Sequence, residues 1–180
     1  MESMTKVSVP KSLMYGMNSV TAVSGSTVLR QFGASNGNSF NTATNEIRIP
    51  VNAGNGFLLG AKSYLAFTIV NGNADKKLTL DSDALCWCDQ LRVESQGLVL
   101  ERLDRAALYN NIRAVMAGGP ERDARACKSG AKADTSASND GEEIAAAKSG
   151  SYVCNLPLGF LKNHLGRAIP SGVSFDLIIR

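Results

Sequence analysis

Two well-separated stretches of this chain place an aliphatic or aromatic residue at every second position. Ile47, Ile49 and Val51 alternate with Glu46, Arg48 and Pro50, and Val173, Phe175, Leu177 and Ile179 recur two apart near the C-terminus. A repeat of two fits a strand with one buried and one wet face, whereas a helix sorts its residues every 3.6. Half-wet strands belong to antiparallel sheets. The abundance of turn-forming residues (Gly 17, with Asn and Ser frequent in the first half) predicts many short strands rather than long helices.

Further elements follow from the same reading. Ser26–Phe32 and Lys77–Leu80 are predicted as short strands. Lys62–Val70 carries Leu65, Phe67 and Ile69 on one side and Tyr64, Ala66, Thr68 and Val70 on the other, which predicts a central strand covered on both faces. Asp81–Trp87 reads as one helical turn capped by Ser82 or Asp83. Leu91 and Val93 alternate with Arg92 and Glu94, Gln96-Gly97 makes a two-residue bend, and Leu98–Leu103 returns as the second strand of a hairpin. Asp104–Met116 is predicted as a helix capped by Asp104, with Leu108, Ile112 and Val115 at helical spacing and Gly118-Gly119-Pro120 as its stop.

From Ala117 to Gly150 the only large aliphatic residue is Ile144, so this segment reads as a long surface loop, with a short helix near Glu142–Lys148. Ser151–Asn155 is a strand, Phe160–Leu165 a short helix, and Val173–Ile179 the last strand. Residues 1–25 read as an N-terminal arm. Residues 26–180 then form one domain, the size at which a single core is sufficient. The fold class is all-β: an antiparallel jelly-roll β-sandwich with short helices and one long loop, at 117–150.

Several functions find no support in the residues. No run of 18 apolar residues exists, which predicts no membrane span, and Met1–Met17 lacks the apolar centre of a signal peptide. The net charge of +3 is too small to argue for nucleic acid, and the basic residues Arg122, Arg125, Lys128 and Lys132 are offset by Glu121, Asp123 and Asp134, with no aromatic residue for stacking. His164 is the only histidine and reads as a surface or packing residue. Cys86 and Cys88 supply at most two metal ligands, and Cys127 and Cys154 stand alone, so all four cysteines read as free thiols. No phosphate-binding glycine loop or dinucleotide fingerprint occurs. Glu142 and Glu143 read as solubilising charge, and Trp87 as a core anchor. No catalytic residue, cofactor-binding residue or metal ligand is assigned, and no cofactor is expected.

Three segments resemble a known family. Asn45–Val51 (NEIRIPV) followed by Phe57–Ile69 (FLLGAKSYLAFTI) resembles the first strands of jelly-roll capsid proteins. Ser82–Tyr109, with LRVESQGLVLERL at Leu91–Leu103, is similar to a hairpin in the N-terminal roll of double-jelly-roll major capsid proteins of large DNA viruses and their smaller relatives: a helical turn, a strand, a glycine bend, a returning strand, then a helix with a tyrosine. Leu156–Leu161 (LPLGFL), Ile169-Pro170 and Val173–Ile179 resemble the part that closes toward the later strands. The resemblance spans about residues 40–116 and 151–180. It implies a structural protein of a virus shell, without catalytic activity, that self-associates into capsomers, trimeric in that family, and meets other capsid proteins in the virion after assembly in the host cell. A double roll needs about twice this length, so the chain fits a single roll or the first roll of a longer protein. Two other classes are weighed. A non-enzymatic binding module for carbohydrate or a cell surface needs exposed aromatics, for which Phe40, Phe57 and Tyr152 are the candidates in loops. A metal-dependent enzyme on the same scaffold needs several histidines.

Overall fold

The computed structural model describes residues 26–81, 83–116, 129–130, 140–161 and 168–180. The chain divides into two units, residues 1–31 and 32–180. In the first, the described residues 26–31 form no strand, and Val28 and Leu29 are exposed. The strand expected over Ser26–Phe32 is therefore not formed: apolar alternation alone does not make a strand where no second strand pairs with it. The arm expected at 1–25 lies outside the described residues, as do His164, Cys127 and the basic stretch Arg122–Lys132 apart from residues 129–130.

The second unit contains, among the described residues, eight strands and one α-helix. They are β1 (Ile47–Asn52), β2 (Leu65–Val70), β3 (Leu78–Asp81), β4 (Gln90–Ser95), β5 (Leu98–Asp104), α1 (Ala106–Met116), β6 (Asp140–Ile144), β7 (Ser149–Cys154) and β8 (Ser174–Ile179), with a 3-10 turn at Gly60–Lys62. Every pairing is antiparallel, and the pairs are nested: β1 with β8, β2 with β7, β3 with β6 and β4 with β5. A bridge between Leu58 and Ile169 continues the ladder between the first two pairs. The chain thus runs as one long hairpin, and β4 also pairs with β8, which brings its tip back against its open end in a four-stranded sheet of order β1-β8-β4-β5. The fold is all-β and antiparallel, as the alternation predicts.

The tip is the predicted hairpin. Gln96 and Gly97 both hold positive φ (50° and 80°), the condition for a tight bend whose twist matches its strands. Glu101 and Val99 face Val93 and Glu94, which leaves Leu100 as an extra residue in a bulge. The core lies on the inner face of the four-stranded sheet. Ile49, Val51, Leu91, Val93, Phe175, Leu177 and Ile179 from that sheet join Leu80, Ile144, Tyr152 and Cys154 from the two ribbons, with Leu156, Leu158 and Leu161 closing one side. These side chains alternate with outward ones that are mostly polar along β1, β4 and β8, Pro50 and Ile178 being the apolar exceptions.

Between β2/β7 and β3/β6 the ribbon is held by one buried side chain. Asn71 donates through Nδ2 to the carbonyls of Lys76 (2.8 Å), Ile144 (3.2 Å) and Ala145 (3.2 Å) and accepts from the Asn73 amide (3.1 Å). Its own amide donates to the Lys148 carbonyl. An interrupted ladder leaves backbone carbonyls unpaired, and a buried one is costly unless a side chain meets it.

Five expectations are corrected. The segment 117–150 is not one loop, because β6 and the first residues of β7 lie in it; β6 has one large aliphatic residue, Ile144, and is fixed by its partner β3 rather than by its own pattern. Glu142 and Glu143 are in that strand, so no helix forms at Glu142–Lys148. Strand β2 is covered on one face only: Ala66, Thr68 and Val70 are exposed. Helix α1 starts at Ala106, after Arg105 in the left-handed region (φ 55°), and Asp104 does not cap it. The Asp104 carboxylate instead accepts from Gln90 Nε2 (2.6 Å) and Arg102 Nε (2.9 Å) within the sheet, while the first helical amides donate to the carbonyls of Asp89 and Cys88. Trp87 stands at the rim of the core rather than within it, its ring edge-on to Phe67 at 5.4 Å.

Replacing Leu91 by Ala should cost about 2–5 kcal/mol, as for large-to-small changes in a packed core. Asn71→Ala should cost about 1–3 kcal/mol through the carbonyls it strands. Leu98→Ala, at an exposed bend, should stay within about 0.5 kcal/mol. Urea-denaturation midpoints of the three variants check the order; equal losses at Leu91 and Leu98 would contradict the core described.

Candidate assembly surface

The three described thiols lie in surroundings that keep them protonated. Cys88 is fully buried, its thiol 3.7 Å from the Gln90 carbonyl, and burial, with Asp89 nearby, pushes it up to about 12. Burial first, then Asp83 and Cys86, pushes Cys154 up to about 12 as well. Burial also raises Cys86. A nucleophile or metal ligand must be a thiolate, and these thiols stay protonated near neutral pH. Among the described residues no three of His, Cys, Asp or Glu converge as a metal cage would require. A groove of about 370 Å³ beside Gly60, Phe160, Ile169, Pro170 and Val173 is lined by no ionisable side chain among the described residues. Of the aromatic candidates for a binding module, Phe57 is exposed and Phe40 half-buried, while Tyr152 is buried in β7, its ring 6.3 Å from that of Phe67.

The outer face of the four-stranded sheet is charged in rows. Register sets Arg48, Ile178, Arg92 and Arg102 side by side across β1, β8, β4 and β5, with Asp176 and Glu94 in the next row. Arg48 reaches Asp176 at 3.6 Å and Glu46 at 3.5 Å, and Arg102 reaches Asp104 at 2.9 Å. Arg92 Nε lies 2.9 Å from Glu94 Oε1 but without the alignment of a hydrogen bond. Arg180 also bonds Glu46 across the sheet end and holds that carboxyl below its ordinary range. The exposed pairs, Arg48–Asp176 and Arg102–Asp104, stabilise each other weakly; pairs of this kind are typically worth under about 1 kcal/mol. Their arrangement is neutralising: acids flank arginines, so the face carries no field of one sign. Ile178 is buried although it points outward, between the long stems of Arg48 and Arg92.

One edge of this sheet is closed, and the other has no such cover among the described residues. At β1, Ser35 donates its amide and hydroxyl to the Arg48 carbonyl, and the Asn36 side chain donates to the Glu46 carbonyl and accepts from the Arg48 amide (3.0 Å). A side-chain amide here stands in for a neighbouring strand. At the opposite edge, β5 exposes Leu98, Val99 and Leu100 at its start.

The most unusual feature is α1. It buries its small and polar side: Ala106 is 2% exposed and Asn110 6%, with Asn110 Nδ2 donating to the Asp83 carboxylate. Asp83 also receives the Leu85 amide on its other oxygen, which ties the 83–88 turn to the helix. The large apolar residues point away: Leu108 is 50% exposed, Tyr109 45%, Ile112 50% and Met116 81%. The helical spacing predicted at Leu108 and Ile112 is present, but these residues face outward rather than into the core; the side chain of Val115 lies outside the described residues. Amphipathic periodicity finds such a stripe without telling which way it faces. The signal that could have told is Asn110 on the opposite side, with an acid in the turn to receive it. A comparison with known proteins gives no match to any family model or curated sequence.

The thiols give a pH dependence with a definite sign. The unfolded chain's thiols ionise near 9.0, whereas buried Cys88 and Cys154 keep their protons until about 12. The native state then binds more protons, so the stability they contribute is complete below pH 9 and falls as pH rises toward 12. Urea midpoints measured across that range should decline, and a Cys88→Ala, Cys154→Ala double variant should decline less steeply. Equal slopes would show that these thiols are not the cause.

Proposed function

We propose that this chain is a self-assembling structural subunit of a virus shell, built as a jelly roll and without catalytic activity. The observation that carries the reading is the helix turned outward: residues spaced as a core stripe are left in water by the folded unit. Exposed apolar patches of a few hundred Å² on a small domain are often functional. Nested antiparallel pairing, with the first strand beside the last, supports the jelly-roll assignment, since it is what rolling up one long hairpin produces. The resemblance to capsid proteins gains support from the order of elements between Asp83 and Met116: a turn, β4, the Gln96-Gly97 bend, β5, then a helix carrying Tyr109.

The magnitudes suit shell assembly. Covering what remains exposed of a half-buried large side chain contributes on the order of 1 kcal/mol. A few such contacts offset only part of the association cost, roughly 4–15 kcal/mol. Single contacts between subunits are then weak and reversible, and stability comes from many closing together. On this reading the subunits form capsomers, trimers by the resemblance, and meet other shell proteins in the virion. The charge-balanced outer sheet face favours no nucleic acid.

The purified chain should sediment as species that grow with concentration, and electron microscopy should show rings, capsomers or shells. A strictly monomeric chain at its highest soluble concentration would overturn the reading. Micromolar binding to one glycan on an array, by that monomer, would instead support a carbohydrate-binding module, whose best contact residue is the exposed Phe57.

A further inference from the structure

Resting on the reading of this chain as a self-assembling subunit, we propose that α1 is a two-fold contact, packing antiparallel against α1 of a second copy with Ile112 at the centre. Leu108, Ile112 and Met116 recur every four residues along one line of the helix, so they form a single ridge. The ridge is symmetric about its middle. An antiparallel two-fold sets Ile112 on Ile112 and each Leu108 against a Met116, two side chains of nearly equal volume, so the same surface serves as both halves of the interface.

The helix chemistry selects that partner. Arg113 is the only charged residue between Ala106 and Met116, so the face carries no charge pattern for an oppositely charged protein to read. The segment that follows in sequence, residues 117–139, contains no large aliphatic and no aromatic residue, so it has no side chains of the right kind to cover the ridge. The area is also adequate. With about 200 Å² for a large side chain in the open, the exposed fractions of Leu108, Tyr109, Ile112 and Met116 leave on the order of 450 Å² of apolar surface per copy. Homodimer interfaces are about 65% apolar, which scales this to roughly 700 Å² per partner against about 800 Å² in a standard interface. The helix is also held firmly for the purpose, by the Asn110–Asp83 bond and by the two amides donated to Cys88 and Asp89. The two-fold brings both copies of Arg113 to the same flank, a like-charge cost that salt screens.

The full chain should therefore associate more tightly as salt is raised. Ile112→Asp should remove the two-fold contact while the variant keeps the wild-type far-UV dichroism, since the side chain is half in water before the change. Ile112→Cys, in a Cys127→Ser background, should give a covalent dimer on mild oxidation, and Leu98→Cys in the same background should not. The contact is overturned if Ile112→Asp assembles like wild type and Ile112→Cys yields no dimer; assembly by another face would leave the shell reading standing. A wild-type chain that never leaves the monomer would overturn both.

Discussion

The inner face of β8 is the seam on which the rest of this molecule depends. Leu177 and Ile179 lie between the inward residues of β1 and β4, Phe175 pairs with Val51 of β1, and all three are buried. Because β8 pairs on both sides, its position joins the beginning of the ribbon to its tip. Without the β4–β8 pairing the chain would be a long two-stranded hairpin, and two-stranded hairpins are marginal in water. Closing it creates a four-stranded face broad enough for the ribbons to cover, and burial of apolar area then outweighs the entropy of ordering.

Around that seam, polar side chains do the work of absent backbone partners. Asn71 satisfies three carbonyls where the ribbon is interrupted, and Asn36 closes the outer edge of β1. Glu101 receives the amides of Gly159 and Phe160, both at 2.7 Å, and so fastens the segment after β7 to β5. These are places where regular pairing stops, and at Asn71 the carbonyl of Ile144 would otherwise be buried without a partner. The thiols illustrate the opposite solution: Cys88 and Cys154 occupy apolar surroundings as small hydrophobic groups, held neutral by their burial.

The helix α1 departs from what internal packing alone would favour. A helix docked only for stability would turn Leu108 and Ile112 inward, yet this one is anchored by Ala106 and by the Asn110–Asp83 bond. The orientation leaves the apolar side chains of Leu108, Tyr109, Ile112 and Met116 exposed. The outer sheet face, by contrast, is charged, with acids beside its arginines.

The sequence alone determined the elements whose own pattern is strong. Alternation at Ile47–Val51 and Val173–Ile179 placed β1 and β8 within a residue or two, and Gln96-Gly97 located a hairpin bend, because side-chain period and positive φ are local properties. Tertiary structure decided what depends on a partner far away in the chain. Strand β6, with Ile144 as its one large aliphatic residue, exists because β3 is beside it, while Val28 and Leu29 form no strand. Asp104 was legible as a cap and became a sheet acceptor, since Gln90 and Arg102 reach it first. The apolar faces of β2 and α1 were visible from spacing, but which of them the folded unit would cover was not. Periodicity fixes that a face is apolar, and only the arrangement of the whole chain fixes whether anything lies against it.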